Sequence, residues 1–220
     1  MMFLTRIEVD PMRRKARQLL ADPQAMHACV MRACAADESA SAEGRVLWRV
    51  DQDANRIMLY MVSPWSPHAE ELQSQIGWSE GAAVQTADYE PFLKKLHPGQ
   101  TYAFRLTANP THVVTEENGA KRRFGHVTEA QQRQWLLDRC EANGFRIRTS
   151  DGRGDEPITE LVTRDRTIKT FRRKGRPVTI TVASFSGALE IMDADLLRSA
   201  LTNGIGRAKA YGCGLLTLAR

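Results

Sequence analysis

The sequence predicts an α+β protein made of two βαββαβ units in tandem, and three observations predict it. Apolar and polar residues alternate in short runs separated by helical stretches, in the order strand, helix, strand, strand, helix, strand over residues 1–96. After Leu96-His97-Pro98-Gly99 the same order starts again, more loosely and with insertions, over residues 97–220. A chain of 220 residues that is 42% apolar can bury a core in each of two small units sharing an interface. The element order is that of the split βαβ, or ferredoxin-like, plan.

The elements of the first unit follow from local chemistry. Residues 3–9 (FLTRIEV) alternate as a strand, and residues 13–20 form a basic helical stretch. Asp22-Pro23 supplies an N-cap acceptor followed by a proline at the first helical position, so a new helix starts there. Met26, Val30 and Ala33 then fall on one face of it. A polar, alanine-rich connection over 37–44 ends it. Residues 45–50 and 56–62 are β-rich runs joined by 51–55, which reads as a hairpin turn. A short helix fits within 64–75 and a fourth strand within 83–89.

In the second unit, residues 101–108 (TYAFRLTA) alternate as a strand, and residues 129–143 form an amphipathic helix with Trp135, Leu136 and Cys140 inward. Residues 145–148, 167–172 and 178–185 are strand runs, 193–201 a helix and 211–219 a closing strand.

Composition narrows the function classes. Lys and Arg number 31 against 26 Asp and Glu, a mild excess that permits a polyanionic partner and leaves the decision to charge placement. The four cysteines form no CxxC pair, which argues for reduced thiols, a cytoplasmic location and no zinc site. No charged leader precedes a long apolar run, and no apolar stretch approaches the roughly 18 residues needed to cross a bilayer. No membrane association is expected.

Charge placement is more informative. Residues 164–176 (RDRTIKTFRRKGR) carry seven basic residues and one acidic residue. Arg166, Lys169, Arg172, Arg173, Lys174 and Arg176 on β-rich runs joined by Lys174-Gly175 would form an arginine hairpin able to lie along an RNA stem, where shape and phosphates dominate recognition. The bland alternative is a solvated face. Lys121, Arg122 and Arg123, after the turn Asn118-Gly119, are a second basic cluster, and the first helix carries a third. No RNP1-type aromatic motif is present, so stacking of bases on a sheet surface is not expected.

The C-terminal run holds Gly204, Gly206, Gly212 and Gly214 with Arg207 and Lys209 between them. Glycines let backbone N–H groups approach an anion closely, and the two cations would add to the attraction. Spacing and order exclude a dinucleotide fingerprint or a P-loop. The other reading is a tight helix-to-strand connection that needs glycine at positive φ.

The ending GIGRAKAYGCGLLTLAR resembles the glycine-rich C-terminus of CRISPR repeat-processing proteins, and FRLTANP at 104–110 resembles their second-domain opening strand. Met2 to Arg6 and the segment from Asp22 to His27 resemble the CasE branch, the processing subunit of the type I-E Cascade complex. The resemblance spans the chain, loosely in the middle. It implies two ferredoxin-like domains, binding of a CRISPR repeat RNA stem-loop, cleavage at the base of its stem, retention of the product and assembly with other Cascade-type subunits. It places the family's catalytic histidine on His27. The family's tyrosine three residues earlier falls on Gln24, which can hydrogen-bond but cannot ionise as a phenol does.

His27 lies about 100° from the Met26 stripe, at the edge of the buried face and able to look into a cleft between the units. The implied chemistry is attack of the ribose 2′-OH on the adjacent phosphate, giving a 2′,3′-cyclic phosphate and a 5′-OH. An imidazole, with an ordinary pKa of about 6.5, serves as acid or base for such a step. His68, His97, His112 and His126 have no metal-ligand spacing, and Asp51 and Asp53 fall in the expected turn, so neither a metal nor any cofactor is expected. A non-catalytic stem-loop-binding subunit is the alternative, since Gln24 departs from the family's pattern.

Overall fold

The computed structural model describes residues 1–34, 45–79, 83–150 and 158–219. The first unit comprises β1 (Phe3–Glu8), α1 (Arg14–Ala21), α2 (Pro23–Ala33), β2 (Leu47–Asp53), β3 (Arg56–Ser63), α3 (Ala69–Ile76) and β4 (Gln85–Asp88). Its antiparallel sheet runs β2-β3-β1-β4. That is the ferredoxin-like order, since each helical crossover carries the chain past one neighbouring position. Asp22 caps α2 through an oxygen that accepts from the Gln24 N–H at 2.9 Å, with Pro23 in the first turn, as the sequence requires. Period-2 alternation divides the sheet's faces. Ile7, Trp48, Leu59 and Met61 pack under the helices with Met26, Val30 and Leu72, while Leu47 and Val62 join the core of the second unit.

The second unit begins after α4 (Glu90–Lys94) and contains β5 (Thr101–Ala108), β6 (Thr111–Thr115), β7 (Lys121–Gly125), α5 (Glu129–Cys140), β8 (Phe145–Ile147), β9 (Thr149–Ser150), β10 (Ile158–Thr159), β11 (Leu161–Arg173), β12 (Arg176–Ile191), α6 (Ala194–Asn203) and β13 (Leu216–Ala219). Its sheet repeats the order, β11-β12-β5-β13, with β8 paired to the far end of β12. β8 and β11 together occupy the position that one strand fills in the first unit. Two ferredoxin-like sheets in tandem are therefore present.

One buried side chain joins the units. Arg49 on β2 is only 1% exposed. It makes a two-pronged contact with Asp51 at 2.6 and 2.8 Å. Across the interface it donates to the carbonyls of Arg105 and Leu215 at 2.8 and 2.9 Å, and to the Thr217 hydroxyl at 2.8 Å. The planar five-donor fork of arginine suits this geometry, and the ammonium of lysine does not.

Several boundaries differ from expectation. Asp51 and Asp53 lie in β2, because Arg49 and Arg105 neutralise carboxylates that would otherwise favour a turn; only Ala54 and Asn55 make the bend. The runs at 167–172 and 178–185 are parts of a much longer hairpin, β11–β12, whose exposed stretches carry too little apolar pattern to be read as strand. The closing strand starts at Leu216, since the segment after Asn203 is a compact turn ending in 3-10 geometry over Lys209–Tyr211. The β6–β7 hairpin has no counterpart among the expected elements; its largely exposed residues leave no buried face to pattern the sequence. The expected connection at 37–44 falls outside the described residues. Among the described residues no helix is long and apolar enough to cross a membrane.

Candidate functional site

α2 is where the two units meet. It packs against the 3-10 turn at Lys209–Tyr211 and against β11. His27, one residue beyond Met26, is half-buried, and its Nδ1 is enclosed with no hydrogen-bond partner among the described residues. Burial pushes its pKa below the ordinary imidazole value of 6.5, and the positive charge of Arg173 on β11 pushes the same way. Both effects favour the neutral imidazole. Gln24 lies one helical turn earlier, half-buried, on the same side of α2 as His27.

The Arg173 side comes from the hairpin turn. Lys174 (φ 47°) and Gly175 (φ 78°) both have positive φ, the type I′ pattern that matches strand twist. It sets Arg172, Arg173 and Arg176 at the exposed tip of a two-stranded arm. Lys169 lies on the inward side of β11 and lines a cleft with Met26, Trp48 and Tyr211. Arg166 is engaged elsewhere, donating to Gln132 Oε1 at 3.0 Å and to the Val127 carbonyl at 2.7 Å.

The glycine run divides into two roles. The N–H of Gly204 donates to Ala200 and that of Gly214 to Thr107, so neither amide points outward. A Cβ on Gly212 would lie 2.8 Å from the Trp48 ring, and one on Gly206 would lie 2.9 Å from Trp135. Close packing alone therefore requires these glycines, and the helix-to-strand reading accounts for Gly204, Gly212 and Gly214. Gly206 and Arg207 are exposed, and Lys209 is half-buried, with its pKa lowered by burial and by Arg45.

Gly206 and Arg207 converge with Arg123 of β7 on a second cleft, lined also by His112, Trp135 and Arg139. Arg139 lies over the Trp135 ring at 4.4 Å, and the His112 and His126 rings lie 4.6 Å apart, tilted by 32°. Sequence reasoning missed the placing of Arg139 and His112, which show their common destination only once β6 and α5 are placed. Arg122 is paired with Glu116 at 2.9 Å, and Lys121 opens the same strand.

Fold and cation placement define a tandem ferredoxin-like protein with a cationic hairpin laid across the helix of its first unit. The family model "CRISPR associated protein" matches residues 2–220. The chain is 32% identical to the CRISPR-associated endoribonuclease Cse3 of Thermus thermophilus, over 99% of this chain and all of that one. It is 31% identical to the CRISPR system Cascade subunit CasE of Escherichia coli, over 76% of this chain and 83% of that one. Thermus thermophilus Cse3 bound to an RNA representing a pre-cleavage complex superposes with a TM-score of 0.77 at 27% identity, covering 100% of this chain and 99% of that one. The chain belongs to the CRISPR-associated proteins, in their type I-E CasE branch.

Proposed function

We propose that this chain is a metal-independent endoribonuclease that cuts CRISPR precursor RNA at the base of the repeat stem-loop and retains the product as a Cascade-type subunit in the cytoplasm. The observation that carries the reading is the half-buried His27, its Nδ1 without a partner among the described residues, on the helix that packs against the strand of Arg173 at the junction of the units. Residues 1–96 act as the domain that carries the histidine, and 97–220 as the domain that carries the cations. The likeness to an RNA-bound Cse3 over the whole chain supports an RNA substrate, and the relative named as a Cascade subunit supports the assembly.

The chemistry follows from the groups present. The 2′-OH attacks the neighbouring phosphorus in line with the departing 5′-oxygen; a neutral imidazole is ready to accept the hydroxyl proton, and as the P–O5′ bond breaks the leaving oxygen takes its proton from the imidazolium so formed or from water. Arg173 stabilises charge that develops on the phosphorane, which a fixed cation does best in a partly dry cleft. Gln24 positions and does not transfer protons. Arg172, Arg176 and the cleft at Arg123 and Arg207 hold the stem through its phosphates. Gly204, Gly212 and Gly214 contribute by shaping the loop that presents Lys209.

Repeat RNA is expected to be cut at undiminished rate in excess EDTA, leaving a cyclic phosphate. Tight binding without any cutting would instead favour the stem-loop-binding alternative, which the Gln24 substitution keeps in play. Replacing Arg172 and Arg173 together by alanine is expected to weaken stem-loop binding. Each lost phosphate contact should lower the steepness of the log Kd against log salt plot by about 0.7–0.9. An unchanged slope in a salt titration would remove the hairpin from the interface.

A further inference from the structure

We propose that the cleft between the two units beside α2, the helix that carries His27, is a pocket for one unstacked nucleobase bearing an exocyclic amino group, taken from the RNA strand near the scissile phosphate. The inference rests on the RNA-processing reading and adds a determinant of sequence specificity to it. The cleft has a volume of about 580 Å³. That is many times the ~30 Å³ share of one water and within the ~300–1,000 Å³ range of small-molecule sites.

Its walls are chemically divided. Leu20, Pro23 and Met26 offer an apolar side, and Trp48 and Tyr211 supply aromatic surface. Asp53 and Asp165 lie at the polar side. Pro23 and Met26 are in the same turns of α2 as His27, and Lys169 faces the cleft from the strand that carries Arg173. Four strand residues span about 13 Å, so an RNA strand with its phosphate at His27 reaches the cleft without stretching.

Two observations point to a base and not to another phosphate. First, Trp48 and Tyr211 put aromatic side chains on the cleft wall, against which a base can stack and a phosphate cannot. Second, among the described residues the charges that line the cleft besides Lys169 are carboxylates, in a protein whose other RNA-facing surfaces are cationic. A carboxylate repels phosphate and accepts from amino groups.

Asp53 and Asp165 are held loosely by Arg105, at 3.6 and 4.0 Å, which leaves lone pairs free to accept from a ligand. Asp165 sits at φ 51° where the β11–β12 register shifts. Such irregularities turn a side chain out of the strand's usual alternation. Single-stranded RNA is read in this way, by bases splayed out, stacked on aromatic or planar groups and hydrogen-bonded along their edges. Uracil, which has no amino group, is the base this pocket disfavours.

The test uses the full chain and a repeat stem-loop with a 2′-deoxy nucleotide at the cut site, so that binding is read without cleavage. Each unpaired nucleotide within two positions of the scissile phosphate is replaced in turn by an abasic residue, then by each base. The expected result is one position where the abasic residue weakens binding about 10-fold. At that position uracil should be bound several-fold more weakly than an amino-bearing base. The Asp53→Asn, Asp165→Asn double variant should reduce that discrimination below two-fold, and asparagine tolerates the left-handed backbone at 165. Should the double variant fail to fold, the base series on the unaltered chain decides alone. Abasic substitutions that all leave Kd within two-fold would overturn the pocket while leaving the nuclease reading intact, and so would discrimination that survives the double substitution. Failure to bind the stem-loop at all would sink the RNA reading itself.

Discussion

The His27→Ala variant is expected to cut repeat RNA about 10²- to 10⁴-fold more slowly in single-turnover assays, a barrier increase of roughly 3–5 kcal/mol. Stem-loop affinity should stay within a few-fold, because the ring is half-buried in a protein junction and the cations that hold phosphates lie elsewhere. Equal losses of binding and cutting would make His27 a contact and not a catalyst.

The pH dependence is specific to this site. Burial and then Arg173 both hold the His27 pKa below 6.5, so the imidazole is neutral, and able to act as base, down to a pH below that value. At subsaturating protein, the acid limb of the cleavage rate should therefore have its midpoint under 6.5. Removing the Arg173 charge should move that midpoint up. The same shift gives a sign for stability. The unfolded chain binds this proton more readily than the folded one, so the contribution is fully present above the unfolded pKa and declines as pH falls through it. A midpoint above 6.5 in the unaltered protein would contradict the burial seen at Nδ1.

The second large effect concerns Arg49→Ala, expected to destabilise the fold by about 3–5 kcal/mol, the usual cost of removing one partner from a buried ion pair. The side chain donates to Asp51 and to three acceptors in the second unit. Its loss leaves the Arg105 and Leu215 carbonyls without this donor and leaves the Asp51 carboxylate, 6% exposed, with Arg105 at 3.5 Å as its remaining ion-pair partner. For a chain of this length that corresponds to a fall of roughly 6–20 °C in Tm, measured by thermal unfolding. Arg49→Lys should recover little, since an ammonium cannot reach both Asp51 and the opposite sheet with a planar fork. A melting temperature within 2–3 °C of the parent, on the order of 1 kcal/mol, would show that apolar packing alone fixes the junction.

How far the sequence could be read depended on burial. The helix start at Asp22-Pro23 was legible because capping is local and chemical: one carboxylate accepts one backbone N–H two residues on. The strand at Thr101–Ala108 was legible because its alternation is imposed by two environments, one on each face. The β6–β7 hairpin and the outer length of β11–β12 face water along most of their residues, so no alternating constraint marks them. The glycine run was legible as a motif but not as a role. Only its contacts with Leu47, Trp48 and Thr107 show that Gly204, Gly212 and Gly214 serve packing and backbone pairing.

Residue order alone determined the two repeated βαββαβ units, the capped helix that carries His27 and the concentration of cations near residue 170, because capping, period-2 alternation and charge are properties of neighbours along a chain. Tertiary structure alone decided that Arg173 of one unit shifts the imidazole of the other. It also decided that Arg123, Arg139 and Arg207 share a cleft, and that Asp53 and Asp165 meet beside Trp48. These groups are brought together by strand order and by the Arg49 junction, and Coulomb interactions depend on distance through space, which linear spacing does not encode.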